Sequence, residues 1–305
     1  MALGNPGDLT HKTVHALTID VEGFAESHAQ SVAVAPDLLE APLMDREIEE
    51  NLSVTLDLLA EHRVTATFFF LGRIAQTSPG LVRRVADAGH EVGCHSYYHR
   101  RITGQTREQF RSQMAEAKAR LEDVSGREVI GFRAPDFSIT AEVKWALDEL
   151  AEAGFRYDSS VVPTGLHDVY GMPGVSEDVF RWPNGLVEFP LPVARVLGAS
   201  FPIGGGGYFR LYPLGLTRMY YRRRSRRGQA TVFYIHPYEI GPAAPRLTGL
   251  TFARRFRHYV RLSKGLKRLP SLLQDAAFGT MSDVLLKMGF LSRDNRGGIC
   301  HEDAR

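Results

Sequence analysis

The chain has 305 residues, a formal net charge of +2, 44% hydrophobic residues and 24% charged residues. This length fits one large α/β domain or two ordinary ones, and the composition excludes disorder as the main state. The near-balanced charge excludes a protein whose whole surface grips a polyanion. Two cysteines, Cys94 and Cys300, cannot build a disulfide framework, which argues against a disulfide-rich secreted module.

No targeting or membrane-spanning segment is recognisable in the sequence. Residues 1–12 contain no apolar run of the kind that a signal peptide needs. No stretch approaches the roughly 18 apolar residues of a membrane span. We therefore expect a cytoplasmic location, with periplasmic export by an unrecognised route left open.

Strand-like runs alternate with helix-like runs along the chain. Apolar runs predict seven strands, at 14–21, 66–71, 91–95, 129–133, 156–161, 186–191 and 231–236. Apolar spacing, capping residues and helix-ending glycines predict helices at 45–62, 79–89, 106–124 and 140–154. This alternation indicates βαβ units and a mostly parallel sheet, and seven strands favour a barrel over a flavodoxin-like sheet.

Two regions depart from this rhythm. Residues 162–213 are rich in proline and glycine, which predicts a loop-rich insertion of the kind that forms lids or binding loops. From residue 250 onward the chain is helical and basic, and its polar end is expected to be mobile.

Polar side chains collect where the predicted strands end. Asp20 and Glu22 end the first strand and share one face, because strand side chains alternate. The later strands carry His95, Arg133, Asp158 and His236. Ligands bind at the carboxyl ends of parallel strands in α/β folds, so we expect these residues to form one site.

The spacing of His95 and His99 suits a metal site. In a helix or tight turn the two imidazoles share one face, and a carboxylate from elsewhere completes a ligand set with open positions for water. Surface or helix-capping histidines have the same spacing. Asp20 and Glu22 would repel each other if partly buried without a cation, which favours one acid as ligand and one as base over a pair of N-cap acids. Cys94 points the opposite way and is expected to be a core thiol.

These residues resemble the motifs of the polysaccharide deacetylases, carbohydrate esterases with a NodB-type homology domain. Five motifs occur in the family order, at 18–23, 95–99, 133–137, 158–160 and 235–237. The segments 182–192, 205–213, 233–239 and 256–281 resemble a subgroup found in exopolysaccharide loci with exosortase systems.

The resemblance implies a distorted (β/α)7 barrel with a loop-rich insertion and a helical C-terminal extension. The predicted domains are a catalytic barrel at 14–240, a basic helical extension packed on it at 241–292, and a mobile tail at 293–305.

The resemblance also assigns catalytic roles. Asp20 corresponds to the general base, Arg133 to the arginine that pairs with that base and orients it, and His236 to the general acid. The backbone N–H groups after Arg133 are expected to help hold the oxyanion.

The metal ligands implied by the resemblance are His95 and His99. The family usually has two adjacent aspartates where this chain has Asp-Val-Glu, and Glu22 is therefore expected to be the third ligand. Zn²⁺ is the expected ion, with Co²⁺ or Ni²⁺ also accommodated.

Six further residues are candidates for substrate binding. The third motif supplies three of them, with Asp136 standing where the family often has an aromatic residue. Asp158 is expected to order the site, and Trp182 and Tyr208 to stack on a sugar ring. The full set is Pro135, Asp136, Phe137, Asp158, Trp182 and Tyr208.

The function that these features favour is metal-dependent N-deacetylation of N-acetylhexosamine in a bacterial exopolysaccharide or its lipid-linked precursor. A lipid-linked sugar deformylase or other amide hydrolase of the same fold, and a non-catalytic carbohydrate-binding barrel, are the alternatives. Intact Asp20, His95, His99, Arg133 and His236 argue against the last.

Basic residues cluster in the C-terminal third. One cluster comprises Arg222, Arg223, Arg224, Arg226 and Arg227, and a second basic face extends over 254–268. The alternatives are a solvated face and a peripheral contact with an anionic membrane or a lipid-pyrophosphate carrier. No nucleic-acid recognition motif is present, so nucleic acid is not an expected partner.

Overall fold

A computed structural model describes residues 13–167, 169–293 and 299–301 of the chain. Its strands are, in chain order, β1 (Val14–Val21), β2 (Thr67–Phe70), β3 (Glu91–Cys94), β4 (Gly131–Phe132), β5 (Tyr157–Asp158), β6 (Phe180–Arg181), β7 (Val187–Glu188), β8 (Val193–Val196), β9 (Ala199–Pro202), β10 (Val232–Ile235), β11 (Ala277–Gly279), β12 (Leu291–Arg293) and β13 (Ile299–His301).

Nine of these strands form one curled sheet within the described residues. Eight of them lie in the order β10-β1-β2-β3-β4-β5-β7-β6, and β11 pairs with the first residues of β1 on the edge opposite β10. All pairs are parallel except β6 with β7. The seven predicted strands are β1, β2, β3, β4, β5, β7 and β10, which confirms the parallel α/β fold.

The helices cover the outside of the sheet. They are α1 (Phe24–His28), α2 (Ala41–His62), α3 (Gly72–Thr77), α4 (Pro79–Asp87), α5 (Arg107–Ser125), α6 (Ala146–Glu152), α7 (Gly206–Leu211), α8 (Leu214–Arg226), α9 (Phe252–Tyr259), α10 (Gly265–Asp275) and α11 (Met281–Lys287). Within the described residues, none of these helices is long and apolar enough to cross a bilayer.

The ends of two predicted helices show how local chemistry decides a boundary. Thr106 and Gln109 form a capping box that begins α5, and Gly126, at φ 65°, ends it. The helix predicted from Thr140 is wrong at its start. The Thr140 side chain accepts no capping hydrogen bond, and a 3-10 turn at Ala141–Val143 precedes α6.

Side-chain alternation along β1 separates the outer core from the barrel interior. Leu17 and Ile19 pack in the large apolar cluster under the helices. Thr18 and Asp20 point inward, where both contact the Arg133 side chain. The carboxyl end of β1 therefore delivers its acid to the interior of the barrel.

A loop, and not a strand pair, bridges the gap between β7 and β10. The Ile203 N–H donates to the Pro192 carbonyl (3.0 Å) and the Tyr234 N–H donates to the Gly204 carbonyl (2.9 Å). Gly205 has φ 143°, and a Cβ there would lie 1.8 Å from the Tyr234 carbonyl oxygen. Only glycine fits this position. The loop-rich insertion thus supplies a wall of the barrel, and the expected distorted barrel is confirmed.

The C-terminal extension was predicted to be helical, but it also contains strands. β11 lies within it and pairs with Val14–Ala16 of β1, because the edge of β1 that faces β2 pairs with β2 only from Thr18 onward. The predicted mobile tail also contains a strand, since β13 pairs antiparallel with β12. The rest of the tail, 294–298 and 302–305, lies outside the described residues, as does the N-terminal segment 1–12. The domain boundary at 240 stays a prediction.

Candidate active site

A tight turn brings His95 and His99 to one point. Ser96 between them has φ 72°, the left-handed conformation. The Gly72 N–H, at the start of α3, donates to the Ser96 carbonyl (2.9 Å). A Cβ on Gly72 would lie 2.8 Å from Tyr97 Cδ2, so glycine allows α3 to approach the turn.

Glu22 lies between the two imidazoles. Its Oε2 is 2.7 Å from His99 Nε2 and 3.2 Å from His95 Nε2, and all three side chains are buried. His95 Nδ1–H donates to the Arg133 carbonyl (2.8 Å), which leaves Nε2 as the ligand atom. The candidate ligand atoms lie within 4.8 Å of one another. This donor set of two imidazoles and one carboxylate fits a divalent cation.

The charges in this group favour a cation. Burial alone would raise the pKa of Glu22, but His99 and His95 hold that pKa well below its ordinary value. Burial would lower the pKa of His99, and the Glu22 carboxylate raises it to about 9. A divalent cation satisfies the same carboxylate and would replace the proton on His99.

Arg133 orients Asp20 in the barrel interior. The fully buried guanidinium donates from Nη1 to Asp20 Oδ1 (2.8 Å) and to Thr18 Oγ1 (2.7 Å). Its other edge donates from Nε to the Ser159 carbonyl (3.0 Å) and from Nη2 to Ser159 Oγ (2.9 Å). The Phe69 ring lies 4.5 Å from the guanidinium carbon. Asp20 is thereby fixed in one orientation, and it lines the same cleft as the metal-ligand group.

A second buried ion pair holds His236. Its Nδ1 lies 2.8 Å from Glu239 Oε2, and Glu239 Oε1 accepts from Arg210 Nε (2.6 Å). His236 Nε2 points to the ligand group and lies 3.4 Å from Glu22 Oε1. The Tyr238 ring stacks on the imidazole, with centroids 4.8 Å apart.

The same contacts set the protonation of His236. Burial would lower its pKa, but Glu239 and then Glu22 raise that pKa above the ordinary value. Burial would raise the pKa of Glu239, and Arg210 and His236 lower it to about 2. Sequence reasoning gave Glu239 no role, although its place three residues after His236 is the spacing of a capping box.

The metal-ligand group, Asp20, His236 and Glu239 line one cleft of about 760 Å³, and Arg133 is buried behind it. The third motif forms part of its wall, because Asp136 and Phe137 take φ values of 53° and 52° and turn the chain across it. Asp136, which stands where the family often has an aromatic residue, accepts from Arg101 Nε (2.6 Å). The expected residues that line the cleft are Asp20, Glu22, His95, His99, Asp136, Phe137, Tyr208 and His236.

Three of the residues expected to bind substrate do not line the cleft. Trp182 is packed in the core, where its indole N–H donates to Glu188 Oε2 (3.1 Å). Pro135 is buried at the start of the 3-10 turn of the third motif. Asp158 is fully buried and pairs in register with Glu188 on the neighbouring strand. The prediction that Pro135, Asp158 and Trp182 bind substrate is corrected on these contacts.

Asp158 is connected to the third motif through a chain of hydrogen bonds. Its Oδ1 accepts from Ser160 Oγ (2.5 Å), and Ser160 Oγ accepts from the Ala134 N–H (2.8 Å). The Ala134 N–H is therefore committed, and Pro135 has none. Of the N–H groups after Arg133, that of Asp136 is the first that could face an oxyanion in the cleft.

Two further expectations concern Cys94 and the basic residues. Cys94 is buried and free, and burial raises the pKa of its thiol to about 12, which fits the expected core role.

The arginines of the second basic face have two different environments. Arg261 and Arg268 donate to backbone carbonyls at the end of α7, whereas Arg254 and Arg257 line the cleft.

Residues 41–157 match the polysaccharide deacetylase family, and residues 159–286 match a domain of unknown function, DUF3473. His95, His99 and Arg133 lie in the first matched segment and His236 in the second. Asp20 and Glu22 precede both.

Three similar proteins indicate how far the likeness extends. A peptidoglycan-N-acetylglucosamine deacetylase from Bacillus cereus is 34% identical over 150 residues, which is 49% of this chain and 50% of that relative. The chain thus spans about half the length of this curated relative. A candidate polysaccharide deacetylase from Mycobacterium smegmatis has the same fold, with a TM-score of 0.59, 21% identity, and coverage of 99% of this chain and 96% of its own. The allantoinase Puue shares the fold at a TM-score of 0.57 and 15% identity, with 92% and 96% covered.

Proposed function

We propose that the chain is a polysaccharide deacetylase, as the family match of residues 41–157 indicates, and that it hydrolyses the acetamide of N-acetylhexosamine units in a metal-dependent reaction. The substrate is a bacterial exopolysaccharide or its lipid-linked precursor. The observation that carries the proposal is one cleft that joins the Glu22–His95–His99 group to the oriented acid Asp20 and to His236. The Bacillus cereus relative, named as a deacetylase of N-acetylglucosamine units, supports the same reaction class.

An acetamide is unreactive, so its hydrolysis needs an activated water, a stabilised oxyanion and a protonated leaving amine. A divalent cation held by Glu22, His95 and His99 would lower the pKa of a water and polarise the acetamide carbonyl. Zn²⁺ is the proposed ion because two imidazoles and one carboxylate are typical of catalytic zinc sites, with Co²⁺ or Ni²⁺ also accommodated.

The other residues supply proton transfer and positioning. Asp20 takes the proton of the attacking water, because Arg133 fixes its carboxylate in the cleft that the ligand group also lines. His236 gives a proton to the leaving amine nitrogen, and Glu239 keeps that proton available by raising the pKa of His236. The Asp136 N–H helps to hold the oxyanion.

Release of acetate from an N-acetylglucosamine oligomer tests the proposal. Acetate release by the metal-loaded protein supports it. Formate release from an N-formyl sugar without acetate release would favour the deformylase alternative. Binding of the oligomer with no release of either acid would favour a non-catalytic carbohydrate-binding barrel.

We place the reaction at the cytoplasmic face of an anionic membrane. The support lies at the C-terminal end of α8, where Arg223, Arg226 and the following Arg227 are exposed. Arg222 of the same cluster donates to Asp275 (2.8 Å) and Arg224 to Asp178 (2.5 Å), so these two are partly neutralised. Each free basic residue near an anionic leaflet contributes about 1 kcal/mol to binding.

A further inference from the structure

Two arginines of α9, Arg254 and Arg257, line the candidate active-site cleft. In the part of the chain that the structure describes, neither has a carboxylate within salt-bridge distance. By contrast, Arg101 of the same cleft is paired with Asp136 at 2.6 Å. The charge of the two α9 arginines is therefore available to a ligand.

The Arg257 guanidinium lies against an aromatic wall. Its Nη2 is 3.2 Å from His167 Nε2, and the His167 ring stacks on Tyr170 with centroids 3.7 Å apart and planes 6° apart. The Tyr170 and Tyr208 hydroxyls form a hydrogen bond of 2.8 Å. His167, Tyr170 and Tyr208 also line the cleft. This wall orders Arg257 before a ligand arrives, which reduces the entropy lost on binding.

The helix that carries these arginines is anchored to the catalytic machinery. Arg210 Nη1 donates to the carbonyls of His258 (2.9 Å) and Val260 (3.0 Å), at the end of α9. The same guanidinium pairs with Glu239, the partner of His236. The position of α9 is thereby fixed relative to the proposed general acid.

We propose that Arg254 and Arg257 form a subsite for an anionic group of the substrate, a carboxylate or a phosphate. The proposal rests on the proposed deacetylase function and narrows its substrate to an acidic N-acetylated saccharide. Residues three apart on a helix are neighbours, so the two guanidiniums can act on one ligand. Guanidinium groups suit the geometry of carboxylate and phosphate, and two neighbouring positive charges on one wall of a cleft attract anions.

Arg255 provides a matched control. It is exposed and adjacent on the same helix, but of residues 254 to 258 it is the one that does not line the cleft. The test compares the double variant Arg254→Ser/Arg257→Ser with Arg255→Ser. Exposed side chains are replaced in both, and a thermal melt checks that the fold is retained.

Three substrates distinguish the source of the charge. They are a tetrasaccharide of alternating N-acetylglucosamine and glucuronate, a neutral N-acetylglucosamine tetramer, and that tetramer with a reducing-end phosphate. Because a hydrogen bond to a charged group is strong, the double variant should lower the ratio of kcat/KM on an acidic substrate to kcat/KM on the neutral one by about tenfold. A lower ratio for the glucuronate-containing tetrasaccharide assigns the subsite to a carboxylate, and a lower ratio for the phosphorylated tetramer assigns it to a phosphate. Arg255→Ser should leave both ratios unchanged.

Calorimetric binding of tetragalacturonate, which has carboxylates and no acetamide, separates the subsite from the reaction. The double variant should bind it about tenfold more weakly at low salt, since the same charged contacts are lost. If the protein releases acetate from none of the substrates but this binding difference persists, the proposed function fails and the subsite stands. Unchanged ratios and unchanged binding would overturn the subsite and leave deacetylation intact. Reduced sedimentation with anionic vesicles at unchanged ratios would assign the two arginines to a membrane instead, which also overturns the subsite.

Discussion

Arg133 Nη1 lies 2.8 Å from Asp20 Oδ1 in the interior of the barrel, and neither side chain is more than 2% exposed. The pair joins the carboxyl ends of β1 and β4, two strands that lie on either side of β2 and β3. Ser159, which follows β5, holds the other edge of the guanidinium. The proposed base is thus fixed by three strand ends at once, which orients it without requiring it to bind the metal.

This relationship predicts that Asp20→Asn separates catalysis from metal binding. Asparagine keeps the size of the side chain but cannot accept the proton of the attacking water. We expect a rate loss of at least roughly a hundredfold, the usual scale for loss of a general base. The metal content, measured on the same protein preparation, should stay at the wild-type level. Acetate release at a near wild-type rate would show that Asp20 has another role.

The Glu239–His236 pair predicts a change in pH dependence. A general acid works only while protonated, so activity should fall as pH rises through the pKa of His236. The Glu239 carboxylate raises that pKa, and Glu239→Gln removes its charge. The alkaline limb of kcat/KM against pH should therefore move to lower pH. Glu61→Gln, at an exposed position on α2, is the control and should leave the limb in place. Superimposable profiles for all three proteins would contradict the role of Glu239.

The buried pair Asp158 and Glu188 predicts a loss of stability as pH rises. Burial raises the pKa of Asp158 to about 6, and burial together with Asp158 raises that of Glu188 well above its ordinary value. A carboxyl whose folded-state pKa is raised contributes stability below its unfolded pKa and loses it as pH rises through the folded value. Thermal melts between pH 5 and 8 should show a smaller decrease in Tm for Glu188→Gln than for the wild type. Parallel slopes would mean that the pair does not hold a proton in this range.

The exposed arginines of α8 predict a weak, salt-sensitive membrane contact. Replacement of Arg223, Arg226 and Arg227 with Ser avoids the two arginines of the cluster that pair with acids. Such a variant should sediment less with anionic vesicles and keep its turnover of a soluble oligomer, because surface charges are screened beyond about 8 Å at physiological salt. Equal binding to zwitterionic and anionic vesicles, or no binding at low salt, would assign these residues to a solvated face.

The strand ends could be predicted because each is marked within a few residues of sequence, by alternating apolar residues and the polar residue that follows them. Asp20 and Arg133 could therefore be placed at one edge of the sheet before their contact was known. The turn at Ser96 was implied by the histidine spacing, although its left-handed φ was not. The resemblance to a family added the roles of these residues.

What the sequence could not show depends on packing between distant segments. Trp182 has the same local pattern whether it faces a sugar or the core, and its bond to Glu188 decides between them. Glu239 becomes a partner of His236 only because Arg210, far along the chain, neutralises it in a buried site. The sequence also could not show which arginines of the second basic face line the cleft and which bind the end of α7, because a run of basic residues does not indicate where each side chain points.

Metal reconstitution tests the central claim most directly. The wild type and His95→Ala are stripped by exhaustive chelation, and acetate release from an N-acetylglucosamine oligomer is followed as Zn²⁺ is returned. We expect no activity in the stripped wild type, a rise that saturates at one equivalent of bound metal, and neither binding nor turnover in His95→Ala. Full acetate release by the exhaustively chelated wild type would contradict the account.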